Sequence, residues 1–168
     1  PFQQDYAKHL KMWEFTVQLI PIEYRDKITQ FEVFHGDGQL LGYVAPIDGL
    51  DNWKFALGID SANELETIDF KDMFTYTVLH EYGHVLTLND SQVDENNENC
   101  NTYHTGEGCS KPNSYINKLV NLGWTDIFEE DPSEIYEKYK DRFLTGYAAT
   151  NPGEDIAEVF TYFITLDN

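Results

Sequence analysis

The chain has 168 residues, 41% of them hydrophobic and 15% aromatic, which is enough for one domain with a core and too ring-rich for a disordered polymer. Its 30 acidic residues outnumber 11 basic ones, and a net charge of −19 opposes binding to nucleic-acid phosphates or to anionic lipid surfaces. Mean hydropathy is −0.50, and no apolar run approaches the roughly 18 residues of a membrane span.

Taken in chain order, Tyr6, Leu10, Trp13, Val17 and Ile20 form one apolar stripe at helical spacing, and Pro21 closes that helix. Strands are expected at residues 31–34, 40–45 and 54–60, separated by the turn cluster His35-Gly36-Asp37-Gly38 and by a turn region at 46–51. Helical character returns over about 67–88, where Phe70, Met73, Phe74, Val78 and Leu79 supply apolar residues. A polar loop over 89–113 comes next, then short helices at 114–122 and 133–143. The last helix has clear start signals: Asn151 as N-cap, Pro152 at its first position, and Glu154 and Asp155 in its first turn. This order predicts a single α+β domain over residues 1–168, a small mixed sheet followed by a mainly helical half, with a monomer favoured. A start at Pro1 without a signal-like stretch is expected of a mature or trimmed form.

Cys100 and Cys109 stand nine positions apart in a loop that contains Gly106 and Gly108. A close, even pair of this kind predicts a disulfide, and with it a secreted or extracytoplasmic protein, here expected to be bacterial. A zinc knuckle of Cys100, His104 and Cys109 is the weaker alternative, because Asp94, Glu95 and Glu98 are unusual partners for a thiolate site. Asp90, Asp94, Glu95 and Glu98 also offer oxygen ligands for calcium, but the EF-hand pattern is missing and a solvated acidic loop is favoured.

The chemistry concentrates in His80-Glu81-Tyr82-Gly83-His84. On a helix, residues 80 and 84 lie one turn apart on one face, so both imidazoles can reach one metal ion. Glu81 projects beside them, placed to accept a proton from a zinc-activated water during attack on a carbonyl carbon. Apolar flanks on both sides suit a buried helix, and Gly83 inside it suggests close approach of another element. A catalytic zinc needs a third protein ligand. No histidine stands at 90, and His104 lies in the cysteine loop, so a carboxylate from a later helix is expected. Glu154 and Glu158 are the candidates, one turn apart on a face with Ala157, while Ile156, Val159, Phe160 and Phe163 occupy the other. One glutamate would bind metal and the other would support a ligand, and helical spacing does not choose between them. A solvated acidic face, with Glu154 capping back to Asn151, is the competing reading.

His80 to His84, followed by Tyr147 and then Glu154-Asp155-Ile156-Ala157-Glu158, resembles the gluzincin metallopeptidases. The pattern is similar to those of the anthrax lethal factor catalytic domain, the Mlc titration factor A family and small secreted bacterial zinc peptidases. The resemblance spans roughly residues 54 to 165 in element order and is specific in the two motifs. It implies a zincin-like fold, one catalytic Zn2+ held by His80, His84 and Glu154, and Tyr147 stabilising an oxyanion. Asp155 and Glu158 would stand behind the ligands. The function implied is hydrolysis of peptide bonds with Glu81 as general base, the alternative being a non-catalytic binding or adhesion module that keeps the zinc. The strand at 54–60 is the expected edge for pairing with extended peptide or protein substrate.

Overall fold

A computed structural model describes residues 5–62, 65, 69, 72–97 and 99–166. Phe70 and Glu98, named above, and the helix start expected near residue 67 lie outside the described residues. The architecture is α+β, with five α-helices, a three-stranded sheet and a two-stranded sheet among the described residues. None of these helices is long and apolar enough to cross a membrane.

Helix α1 spans Tyr6–Leu19 and opens on Asp5, whose carboxylate accepts from Lys8 N. Its inward face carries Met12, Phe15 and Thr16, while Tyr6 and Leu10 of the expected stripe are exposed. Thr16 escapes the usual cost of a buried hydroxyl because it donates to Met12 O, 2.8 Å away in the preceding turn. The apolar stripe therefore lies to one side of the buried face, which includes a threonine that an apolar pattern does not count.

Strands β1 (Ile28–Phe34), β2 (Gly42–Pro46) and β3 (Trp53–Gly58) form the sheet in the order β1-β3-β2. β3 runs parallel to β1 and antiparallel to β2, with Gly42 opposite Leu57 and Pro46 opposite Trp53. The strand expected at 54–60 as the free edge is thus the central one, hydrogen-bonded on both sides. The sequence carries the reason: Phe55, Ala56 and Leu57 form a continuous apolar run that is fully buried, as a central strand requires. The edge nearest the next helix is β2, whose Tyr43 and Val44 are only half-buried.

Helix α2 (Met73–Leu88) starts on Asp72, which accepts from Thr75 N at 2.7 Å, and ends on Asn89. Asn89 Nδ2 donates to Val85 O and Leu86 O at 2.9 and 3.0 Å, satisfying carbonyls that the helix end leaves open. Phe74, Val78, Val85 and Leu88 point into the main core with Trp53, Phe55, Leu57 and Met12.

The 89–113 segment is more ordered than a polar loop. Strands β4 (Val93–Asp94) and β5 (Cys109–Ser110) pair antiparallel, His104 bridges to Cys109, and Cys100 is disulfide-bonded to Cys109. With the two sulfurs joined, a thiolate knuckle with His104 is ruled out. Helix α3 (Tyr115–Gly123) and the short α4 (Ile135–Lys138) enclose a second apolar cluster of Val120, Trp124, Ile127, Ile135 and Phe143. The helix expected over 133–143 breaks after Lys138 into a 3-10 turn, Lys140–Arg142.

Helix α5 (Pro152–Leu166) packs lengthwise on α2. Asn151 Oδ1 accepts from Gly153 N and Glu154 N at 2.8 and 3.1 Å, so the N-cap is made as the sequence indicates. A Cβ on Gly83 would stand 3.1 Å from Ala157 Cα and 3.4 Å from Ala157 Cβ. The two helices meet where each presents a small residue, Gly83 on α2 and Ala157 on α5. The face of α5 turned inward holds Asp155, Ala157, Glu158 and Thr161, whereas Val159 and Phe163 are exposed. Gly83→Val should therefore lower stability by about 1–3 kcal/mol through overpacking, measured by urea unfolding. Replacing both cysteines by serine should lower it by roughly 2–3 kcal/mol, the loop-closure value for a short cross-link.

Candidate metal centre

His80 and His84 leave α2 on the side that meets α5, and Glu154 leaves the first turn of α5 toward them. His80 Nε2 lies 3.2 Å from His84 Nε2 and 3.0 Å from Glu154 Oε2, and His84 Nε2 lies 3.4 Å from the same oxygen. Donors on a tetrahedron with bonds of 2.0–2.1 Å stand about 3.3 Å apart, so these three atoms already occupy one face of such a polyhedron. This is the group of three ligating side chains that could hold a metal ion among the described residues. Two imidazole nitrogens and one carboxylate oxygen suit a divalent transition metal.

The other ring nitrogen of His80 is also held. Its Nδ1 lies 3.1 Å from Glu158 Oε1, and Glu158 is 1% exposed. Tyr76 donates to the same oxygen, and Thr145 Oγ1 donates to Oε2 at 2.7 Å. A carboxylate behind a ligating histidine fixes the ring orientation and keeps Nδ1 protonated, leaving Nε2 free for a metal. Helical spacing does not separate the two glutamates; the structure puts Glu154 on Nε2 and Glu158 on Nδ1. Asp155, from the same turn, faces elsewhere: its Oδ2 accepts from Trp124 Nε1 at 2.8 Å, joining α5 to the second apolar cluster.

This crowding sets the electrostatics. Burial alone would lower His80, but hydrogen bonds to Glu154 and Glu158 and the charge of Glu81 push it up to about 9. Burial would raise Glu154, yet hydrogen bonds from His80 and His84 hold it down to about 2. Glu158 is likewise held below the usual carboxylate range against its burial, chiefly by His80 and Tyr76. Burial and the Glu158 carboxylate push the Tyr76 hydroxyl well above the ordinary tyrosine range.

Glu81 differs from its neighbours. It is 8% exposed and accepts no hydrogen bond among the described residues. Burial raises its carboxyl above the ordinary value, partly offset by the charges of His84 and His80. It lines a cleft of about 370 Å³ together with His80, His84, Glu154 and Tyr147. Strand β2 crosses directly over it: a Cβ on Gly42 would stand 2.8 Å from Thr77 Cγ2 and 2.9 Å from Glu81 Cγ. Tyr147 is half exposed at the rim, its ring centroid 5.7 Å from that of His80. Burial and the Glu154 carboxylate push its hydroxyl up to about 12.

Gly42, Tyr76 and Thr145 are site residues that the sequence reading misses. Tyr76 is within reach of a pattern argument, since it precedes His80 by four residues and shares its helix face. Gly42 and Thr145 carry no such signal, because their roles arise from strand placement and from a loop. Compared with models of protein families, with curated proteins and with solved structures, the chain matches none.

Titration with zinc should show one site per chain, lost in His80→Ala and His84→Ala and strongly weakened in Glu154→Ala. Glu158→Ala should keep the site at about 10- to 100-fold lower affinity, the usual cost of removing a partner behind a ligand. Asp155→Ala should leave affinity unchanged. Isothermal calorimetry and elemental analysis check each, and loss of the metal in Glu158→Ala with retention in Glu154→Ala would reverse the assignment.

Proposed function

We propose that the chain is a zinc-dependent peptidase with a zincin-like fold of the gluzincin kind, using His80, His84 and Glu154 as ligands. The observation that carries this reading is Glu81: a buried carboxylate without a hydrogen-bond donor among the described residues, in the same cleft as the three metal-ligating atoms. A metal held only for structure needs its ligands alone and has no use for such a group, whose oxygens open onto the cleft. Zinc, when bound, supplies Lewis acidity toward water and toward a carbonyl oxygen.

Each remaining role belongs to a side chain of the protein. Glu81 accepts the proton of the attacking water at a carboxylate oxygen and then delivers it to the leaving amine nitrogen. A pKa raised by burial brings its proton affinity closer to neutral pH, which favours both transfers. Tyr147 keeps its hydroxyl proton and donates a hydrogen bond to the carbonyl oxygen as negative charge develops there. Glu158 keeps the His80 ring from rotating. Strand β2 offers its free edge to an extended peptide, which main-chain pairing would lay across Glu81. The Cys100–Cys109 bond supports a secreted or extracytoplasmic location, where disulfides persist.

Glu81→Gln should keep fold and zinc while peptide hydrolysis falls by about 10²–10⁴-fold, because the amide cannot take the proton. Tyr147→Phe should keep zinc and lower kcat with little change in KM, since its hydrogen bond matters once charge has developed. Gly42→Ala should retain zinc and lower hydrolysis by displacing Glu81. A zinc-loaded Glu81→Gln protein that cleaves casein or a peptide library as fast as the parent would exclude the mechanism and favour a metal-binding module.

A further inference from the structure

We infer that Glu107, carried into the catalytic cleft on the disulfide-bonded hairpin, selects a lysine or arginine side chain of the substrate. The inference rests on the peptidase reading for the class of molecule bound, and on the cleft itself for the side chain chosen.

The residues lining this cleft include three carboxylates, Glu81, Glu107 and Glu154, and neither lysine nor arginine. Glu154 is committed to the two histidines, and Glu81 sits beneath β2. Glu107 belongs to neither group. It is half-buried and has no cationic partner among the described residues. A partly desolvated carboxylate in a cleft wall is a ready partner for a cation that arrives with a ligand.

The hairpin holds Glu107 in place. Thr105 N donates to Gly108 O at 2.8 Å, and Glu107 N donates to the buried Thr105 Oγ1 at 3.1 Å. Gly108 has φ +149° and packs against Asp94 O and Glu95 Cα, a position closed to any side chain. The next residue, Cys109, is bonded to Cys100. Glu107 is therefore presented by a turn with little freedom, which favours selective binding because little ordering remains to be done.

Tyr103 supplies the second half of the subsite. It lines the same cleft, and its ring stacks on Phe128 at 5.8 Å between centroids. Tyr103 and Glu107 both line this cleft, and burial together with the Glu107 charge raises the Tyr103 hydroxyl above its ordinary range. A carboxylate beside an aromatic ring matches the two preferences of a lysine or arginine head, ion pairing and cation–π contact. Tyr43 and Val44 of β2 line the same cleft, so a peptide paired with that edge passes through the space that Glu107 lines. The neighbouring cleft, about 440 Å³ and bounded by Leu41, Met73 and Tyr76, has Glu81 and Glu158 in its lining. The first is given to proton transfer and the second is bonded to His80, Tyr76 and Thr145, so this cleft suits an apolar side chain on the other side of the cleaved bond.

The test offers a peptide library, randomised on both sides of the cleaved bond, to the zinc-loaded parent, Glu107→Gln and Glu107→Lys. Binding of the same peptides to Glu81→Gln and to Glu81→Gln/Glu107→Gln is measured in parallel. The expected result is one position at which lysine or arginine raises kcat/KM roughly three- to tenfold over glutamine, the size of a partly solvated ion pair. That preference should vanish in Glu107→Gln, turn toward acidic residues in Glu107→Lys, and shrink as salt rises. Cleavage without a basic position, or with one that Glu107→Gln leaves intact, overturns the inference and leaves the peptidase reading standing. Glu107-dependent binding of basic peptides that the parent never cleaves does the reverse. Neither binding nor cleavage overturns both.

Discussion

The close contact of α2 with α5 at Gly83 and Ala157 governs the rest of the structure. Glycine inside a helix costs about 1 kcal/mol relative to alanine, and α2 bears that cost one residue before His84. In return the helices lie near enough for one carboxylate oxygen, Glu154 Oε2, to stand within 3.4 Å of both histidine Nε2 atoms. A Cβ at residue 83 would already stand 3.1 Å from Ala157 Cα, so a larger side chain at either position would push the helices apart. The same contact explains why α5 turns its acidic and small residues inward and leaves Val159 and Phe163 in solvent.

Burying two glutamates against α2 requires partners for both, and the site supplies them by dividing the two nitrogens of His80. Glu154 takes Nε2, where a metal would bind, and Glu158 takes Nδ1, with Tyr76 and Thr145 also donating to its oxygens. The outcome is a set of opposite charges that stabilise one another in a poorly solvated place, with His80 shifted up and both glutamates shifted down. Glu81 is left out of this network. Burial raises its affinity for protons without a hydrogen bond to offset the effect, and it faces the cleft beneath β2.

Much of this is legible in the sequence, and the gaps have physical causes. His80, Glu81 and His84 are visible because helical spacing alone puts two imidazoles on one face. Gly83 reads as a place of close approach, and α2 does meet α5 there, at Ala157. The disulfide is expected from a close cysteine pair in a glycine-containing loop, and it forms. The division of labour between Glu154 and Glu158 is hidden, since residues one turn apart share a face and differ only in what the opposing helix offers them. The free edge is misplaced onto residues 54–60 because strand order is a long-range property. The apolar run Phe55-Ala56-Leu57 is the local clue to a central strand. Along α1, exposed Tyr6 and Leu10 and buried Thr16 show how a threonine that bonds its own helix can replace an apolar residue.

The central claim is where a metal binds and through which atoms. Anomalous diffraction at the zinc edge from crystals of the zinc-loaded protein would show this directly. One ion is expected between α2 and α5, bonded to His80 Nε2, His84 Nε2 and a Glu154 oxygen, with Glu158 on His80 Nδ1 and not on the metal. An ion bound instead among the acidic residues near Asp90 and Asp94, or one that takes Glu158 as its ligand in place of Glu154, would contradict it.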